Sequence, residues 1–339
     1  MEEKVDNMTT KKRDLGSLDG LRVLATLSIF LYHAGILVQG AFPVTFFFML
    51  SGFMMYYTKH PLMGYASFCA WLGYVGKKLK EFYPLHLLTF CYACLLIRPV
   101  WDADQILSAL RNLLLLNSFR EEWLYSFNAL SWYLSTLIIL YIVGYFLIRL
   151  LNRWEKYRNI LIVLTLVLIS LCNGLVWLNV PLYLYGNPGY RILDFFLGML
   201  MAHLYLEKRQ TAVKKKTSNV WEFGICTAFT VAYLLSLWLK PKYGYYSVLF
   251  AIALPVFAKG EGYVSKVLQG RFFAAAAKCS FAFYMIHELV LRTLRQLILP
   301  ESIGHYTRLF MIAIIAFPVT VILAVAYNWK FQKNTLAKK

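Results

Sequence analysis

Ser17-Leu18-Asp19-Gly20-Leu21-Arg22, followed by a mostly apolar run from Val23 to Leu31 and then Tyr32-His33, is the stretch on which the fold turns. A segment this apolar has no place on a water-facing surface. Its Asp, Arg and His equally forbid lipid on every side, because a charge in the hydrocarbon core costs a few kcal/mol. At 100° per residue, the eleven positions from Arg22 to His33 make three turns plus about 20°. The two side chains therefore share a face about 16 Å apart. Thr26 and Ile29 fall between them, and Asp19 lies one turn before Arg22 and within pairing distance. Such a stripe belongs in the interior of a helix bundle or against a watery cavity.

Outward from this segment, the chain has the composition of a membrane protein. Of 339 residues, 60% are apolar, 17% aromatic and only 15% charged, and the mean hydropathy is +0.56. An average soluble domain has about 25% charged residues. Disordered, collagenous and disulfide-stapled classes are excluded, and a soluble enzyme is disfavoured. Ten stretches read as membrane-crossing helices: 18–38, 42–58, 82–100, 129–151, 159–179, 190–206, 220–239, 244–258, 273–292 and 307–329. Residues 104–120, where Ile106, Leu107, Leu110, Leu113 and Leu114 form a stripe beside Arg111, read as a surface or half-helix. The expected fold is all-α, a polytopic bundle of about ten spans. Its membrane domain covers 17–330, between tails at 1–16 and 331–339.

The net charge of +18 could suggest nucleic acid, but its distribution gives another explanation. With the N-terminus placed inside, twenty-five Lys and Arg fall on the inner side and nine on the outer. This is the positive-inside bias, so both termini are expected in the cytoplasm and no nucleic acid is needed. The run Lys214–Lys216 reads as a solvated cytoplasmic loop. The CxxC of Cys91 and Cys94 lies in an apolar run without a companion cluster and reads as packing, so no metal site is expected. No secretory signal peptide is read at the N-terminus, and no appended domain is read in the loops.

Five collinear stretches resemble the acyltransferase-3 family of integral membrane O-acyltransferases. Leu18-Asp19-Gly20-Leu21-Arg22 with Tyr32-His33 resembles its first-helix Arg-x10-His signature. Phe46-Phe47-Phe48-Met49-Leu50-Ser51-Gly52-Phe53 resembles its FFxLSGF segment. Lys77-Lys78-Leu79-Lys80-Glu81-Phe82-Tyr83-Pro84 resembles its basic entry to the third helix. Tyr190-Arg191 with Asp194-Phe195 and Gly198, and Ser280 with Tyr284 and His287, resemble two later segments. Glu81 stands where the family often carries Arg, and the charge of the third stretch is on lysines; a lysine cannot fork onto phosphate but still serves as a point charge. Leu137 stands where many members carry a carboxylate, and the sequence shows no C-terminal hydrolase-like domain.

The resemblance implies transfer of an acyl group, usually acetyl, from cytoplasmic acyl-coenzyme A to a sugar hydroxyl of an envelope or lipid-linked glycan. The implied setting is a bacterial plasma membrane, with glycan-assembly proteins as possible partners. Lys77, Lys78, Lys80 and Arg22 become candidates for the anionic donor. His33 becomes the general base or a transient acyl carrier, aided by Arg22 and Asp19. Ser51, Tyr284, Arg191, Asp194, His287 and Glu288 are candidate acceptor-side residues. His287 has no charged neighbour on its own helical stripe, whereas Glu288 shares a face with Arg292 and Arg295. Asp194 with Arg191 also suits a structural pair. Trp123, Tyr125, Trp132, Tyr183 and Tyr185 suit an interfacial belt or sugar stacking. A multi-pass transporter or flippase, and a non-catalytic scaffold, remain the other classes compatible with ten helices and buried charge.

Overall fold

Each of the ten apolar stretches falls on an α-helix in the computed structural model, which describes residues 15–60, 67–211, 218–239, 245–297 and 304–336. In chain order these are α1 Gly16–His33, α2 Ala41–Lys59, α3 Phe68–Ile97, α4 Ala103–Leu113, α5 Trp132–Arg153, α6 Arg158–Trp177, α7 Pro188–Thr211, α8 Ser218–Leu239, α9 Tyr245–Lys259, α10 Tyr263–Leu268, α11 Arg271–Leu297 and α12 His305–Leu336. No strand occurs among the described residues. Five stretches, on α5, α6, α8, α11 and α12, are long and apolar enough to cross a membrane by length and composition alone. The tail before Leu15, the Lys214–Lys216 run, Lys240, Lys242 and residues 337–339 lie outside the described residues.

The most apolar helices lie at the periphery. α6 exposes Ile160, Val163, Leu164, Val167 and Leu171, and α12 exposes Phe310, Ile314, Ile322 and Val325. Water would penalise such surfaces, whereas hydrocarbon does not. The helices that carry Asp, Arg and His sit inside, where polar groups find partners. α2 and α7 form the most extensive helix contact in the bundle. Their backbones touch because glycine stands at both crossing points. A Cβ on Gly52 would lie 1.9 Å from the Phe195 carbonyl oxygen, and one on Gly198 would lie 1.9 Å from that of Met49. The Arg191–Asp194 pair sits beside this seam and is wholly buried.

Three of the boundaries that differ from the sequence reading bear on the site. α1 stops at His33 rather than continuing to 38, because Gly35 turns the chain at a φ of 80°. α3 starts at Phe68, capped by the Ser67 hydroxyl, which accepts from Ala70 N at 3.2 Å, and it runs unbroken through Pro84. Lys77, Lys78 and Lys80 are therefore part of the helix and do not precede it. The 104–120 stripe forms a helix only as far as Leu113, with Asp102 accepting from Gln105 N at 2.8 Å. Its Ile106, Leu107, Leu110 and Leu114 face outward, while Asn112 turns in.

Residues 114–131 then cover one end of the bundle without α-helix, apart from a single 3-10 turn at Glu121–Trp123, held by buried amides and hydroxyls. Asn112 and Asn117 each donate to Ser131 Oγ at 3.0 Å, Ser118 and Ser135 share a 2.7 Å bond, and Asn128 donates to the Met285 carbonyl at 3.3 Å. At the opposite end, Glu222 of α8 accepts from Gly262 N and Ser265 N, each at 3.0 Å, and so caps α10. α10 packs against α1 at Gly20.

Candidate active site

His33 is the last residue of α1, and its ring meets His287 of α11. His33 Nδ1 and His287 Nε2 are 2.8 Å apart. The ring planes differ by 16° and the centroids lie 5.1 Å apart, a spacing that fits an edge-to-edge nitrogen bond rather than face-to-face stacking. His287 Nδ1 lies 3.2 Å from the Phe283 carbonyl oxygen, which can only accept. The tautomers follow from this chain. His287 carries its proton on Nδ1 and gives it to Phe283, so its Nε2 must accept. His33 therefore carries its proton on Nδ1, and its Nε2 keeps a free lone pair.

Three arginines surround this arrangement. Arg295 donates through Nη2 to the His33 carbonyl oxygen, satisfying an orphan acceptor at the C-terminus of α1. Arg308 of α12 donates in turn to the Arg295 carbonyl at 3.3 Å. Arg292 donates from Nε to Glu288 Oε1 at 3.1 Å and from Nη1 to the Phe127 carbonyl at 3.2 Å.

His33 lines a cavity of about 490 Å³ at this end of the bundle, together with Tyr284, Glu288 and Arg292. Tyr32, Tyr125, Trp132 and Tyr185 supply aromatic walls, and Gln39 and Glu121 supply further polar groups. The roof is the 114–131 segment and the 178–187 loop. Burial, with Tyr125 and Glu121 nearby, holds the Tyr183 hydroxyl above its usual range, and it donates to the Ser118 carbonyl at 3.0 Å. Of the expected aromatic set, Tyr125, Trp132 and Tyr185 face the cavity. Trp123 instead stacks under Arg111, whose guanidinium carbon is 4.1 Å from the ring centre.

Arg22 is paired with Asp19 and keeps 39% of its side chain accessible, while its Nε is buried without a partner. Tyr133 and Tyr141 of α5 lie within reach of its charge. These residues belong to a polar line through the bundle. Lys59 sits over the Tyr74 ring at 4.5 Å, near Lys77 and Lys78. Tyr74 packs on Tyr141 with centroids 6.5 Å apart. Tyr133 is hydrogen-bonded to Ser51 and packs on Tyr284 at 5.6 Å, and Tyr284 reaches His287 at 5.9 Å. The line thus joins the lysines to His33 past Arg22. Ser51 lies on it and does not line the cavity. Lys77 and Lys80 are exposed, and Lys78 is paired with Glu81 at 2.8 Å.

Arg191 and Asp194 stand apart from the cavity. Arg191 donates to the Tyr185 carbonyl at 2.7 Å and to Thr45 at 3.2 Å, and Asp194 accepts from Ser247 at 2.8 Å. The pair braces the cavity wall through Tyr185 and ties α2, α7 and α9 together. His86 and His203 are packed residues with hydrogen bonds to the Asn112 carbonyl and the Tyr56 hydroxyl.

Lys59, Tyr74, Tyr133 and Tyr141 are not singled out by the sequence as site residues. Each looks ordinary on its own helix, and only Lys59, a basic residue ending α2, offered a signal.

An all-helical bundle with apolar outer helices, an inward histidine and a polar line leading to it has the build of a membrane-embedded protein with an internal site. The acyltransferase-3 family model, described as an acyltransferase domain, matches residues 15–329, and the chain belongs to that family of membrane proteins. It is similar to acyltransferase MdmB of Streptomyces mycarofaciens, with 26% identity over 319 residues, covering 82% of this chain and 79% of that protein. No solved structure matches it significantly.

Proposed function

We propose that the chain is a multi-pass O-acyltransferase that moves an acyl group, acetyl in the simplest case, from acyl-coenzyme A to a sugar hydroxyl. In this reading ten helices cross a bacterial plasma membrane with both termini in the cytoplasm. The donor docks its phosphates on Lys59, Lys77, Lys78 and Lys80 and passes its thin arm along the Tyr74–Tyr141–Tyr133 line beside Arg22. The acceptor, an envelope or lipid-linked glycan, enters the aromatic-walled cavity.

The observation that carries the reading is the free Nε2 of His33 at the cavity, with its tautomer fixed by His287 and Phe283. His33 Nε2 takes the hydroxyl proton as the acceptor oxygen attacks the thioester carbon. The carbon–oxygen bond forms, the carbon–sulfur bond breaks, and the proton returns to the thiolate. Tyr284, whose hydroxyl lies 3.4 Å from the Leu130 carbonyl, is the donor best placed to serve the oxyanion.

The test is transfer of radiolabel from acetyl-coenzyme A to glycan in proteoliposomes of the full chain. His33→Ala should lower transfer about 10²- to 10⁴-fold while the protein stays monodisperse. Undiminished transfer in that variant, or glycan that crosses the membrane without gaining label, overturns the proposal; the second result would identify a transporter.

A further inference from the structure

The hydrogen bond to His287 occupies His33 Nδ1 and leaves unexplained a carboxylate that approaches the same nitrogen. Glu288 has only 12% of its side chain accessible. Its Oε1 is held by Arg292 Nε at 3.1 Å and faces Arg295 Nη1 at 3.9 Å. Its Oε2 has no hydrogen-bond partner and lies 3.9 Å from His33 Nδ1. A buried acceptor without a partner is costly and uncommon. An ion pair that served only to brace α11 would have no need to aim its free oxygen at an imidazole on another helix.

We propose that Glu288 is a positioning residue whose carboxylate stabilises the protonated form of His33 during transfer, with Arg292 and Arg295 as its tethers. This rests on the reading of His33 as the general base. In the resting state the neutral ring gives its Nδ1 proton to His287 and keeps Nε2 open. When the acceptor's proton arrives on Nε2, the ring becomes a half-buried cation. His287 continues to accept from Nδ1 but is itself neutral and offers no counter-charge. Glu288 Oε2 supplies it from a position fixed beforehand. As the carbon–sulfur bond breaks, the proton leaves Nε2 for the thiolate and the ring returns to neutrality. The cation exists only between these two events, so the carboxylate favours the barrier crossing over ground-state binding.

The surrounding charges are compatible with this role. Arg292 and Arg295 pair with Glu288 and weaken its field at the ring. Arg308 of α12 lies behind Arg295, and Glu121 and Tyr125 of the covering loop border the same cavity. Tyr185 and Tyr284 are also on the cavity wall. Among the described residues, Glu288 is the only carboxylate within 4.0 Å of His33.

The experiment measures the pH dependence of kcat and of kcat/KM for the full chain in proteoliposomes. The donor is radiolabelled acetyl-coenzyme A and the acceptor is a glycan extract of the same membranes. Activity requires an unprotonated His33, so the acidic limb of the profile reports the charge on that ring. Glu288→Gln is expected to move this limb about one pH unit lower, since an opposite charge at this range has been removed. It should also reduce kcat about tenfold or more while the half-saturating amount of extract stays within about twofold. Arg292→Gln is expected to move the limb the other way, because it unmasks the carboxylate. Opposite displacements by two neighbouring variants cannot arise from general loosening of α11.

Unmoved limbs in both variants overturn the proposal, as does a Glu288→Gln enzyme with normal kcat and weakened acceptor saturation. If Glu288→Gln does not fold, the direction of the Arg292→Gln displacement decides alone. His33→Ala run in parallel separates the two levels. An active His33→Ala enzyme removes the general-base reading itself, whereas an inactive one beside an unmoved Glu288→Gln limb removes only the role given to Glu288.

Discussion

His33 derives its chemistry from a partner 254 residues away in sequence. The partner dictates which nitrogen is left over, and that choice decides whether the ring can act as a base. His287→Leu should strand the Nδ1 proton of His33 and lower kcat about 10²-fold, whereas His287→Gln, which still offers an oxygen, should retain most of it. Steady-state transfer assays with acceptor and donor varied separately check this, the donor KM staying constant in both variants. Helical periodicity placed Arg22 and His33 on one face because both lie on one helix with no proline or glycine between them. It could not pair His33 with His287, because the phase of one helix says nothing of its rotation against another. Within α11 His287 bonds the Phe283 carbonyl, and its polar side-chain partner comes from α1.

The helices differ in what their sequences could reveal. Long apolar runs made α5, α6, α8, α11 and α12 legible. The start of α3 was hidden because Lys77, Lys78, Lys80, Glu81 and Pro84 interrupt its pattern, yet the helix spans 30 residues, about 45 Å. Placing those lysines inside a helix, with Lys59 opposite, makes a basic cluster drawn from two elements. Lys77→Gln combined with Lys78→Gln should raise the KM for acetyl-coenzyme A about tenfold and flatten its dependence on ionic strength, with kcat little changed. The contact between α2 and α7 makes a second test. Gly198→Ala drives a methyl group into the Met49 carbonyl and should destabilise the protein by about 3 kcal/mol. Gly174→Ala on α6 meets nothing within 4 Å and should be neutral or slightly stabilising. Thermal unfolding of the two variants in the same detergent makes the comparison. The sequence marked Gly52 and Gly198 as parts of motifs; their reason is steric, and only the facing carbonyls disclose it.

At the scale of the whole molecule, the distribution of Lys and Arg is the strongest topological signal. It predicts that reporters fused after Lys59 and after Leu336 are active only in the cytoplasm, and that one inserted near Glu121 is active only outside; an active cytoplasmic reporter at Glu121 would refute the ten-span path. The covering segment at 114–131 falls between a stretch read as a half-helix and one read as a span, and its order was not legible because it comes from scattered Asn and Ser side chains that become a network once α3, α5 and α11 converge. The uninterrupted stretch from Leu21 to His33 has a mechanical consequence. A helix without a hinge behaves as a lever: any tilt that widens the chamber around the imidazole also displaces the guanidinium three turns below. Occupancy at one extremity should therefore be felt at the other without any intermediary, through the stiffness of a single rod.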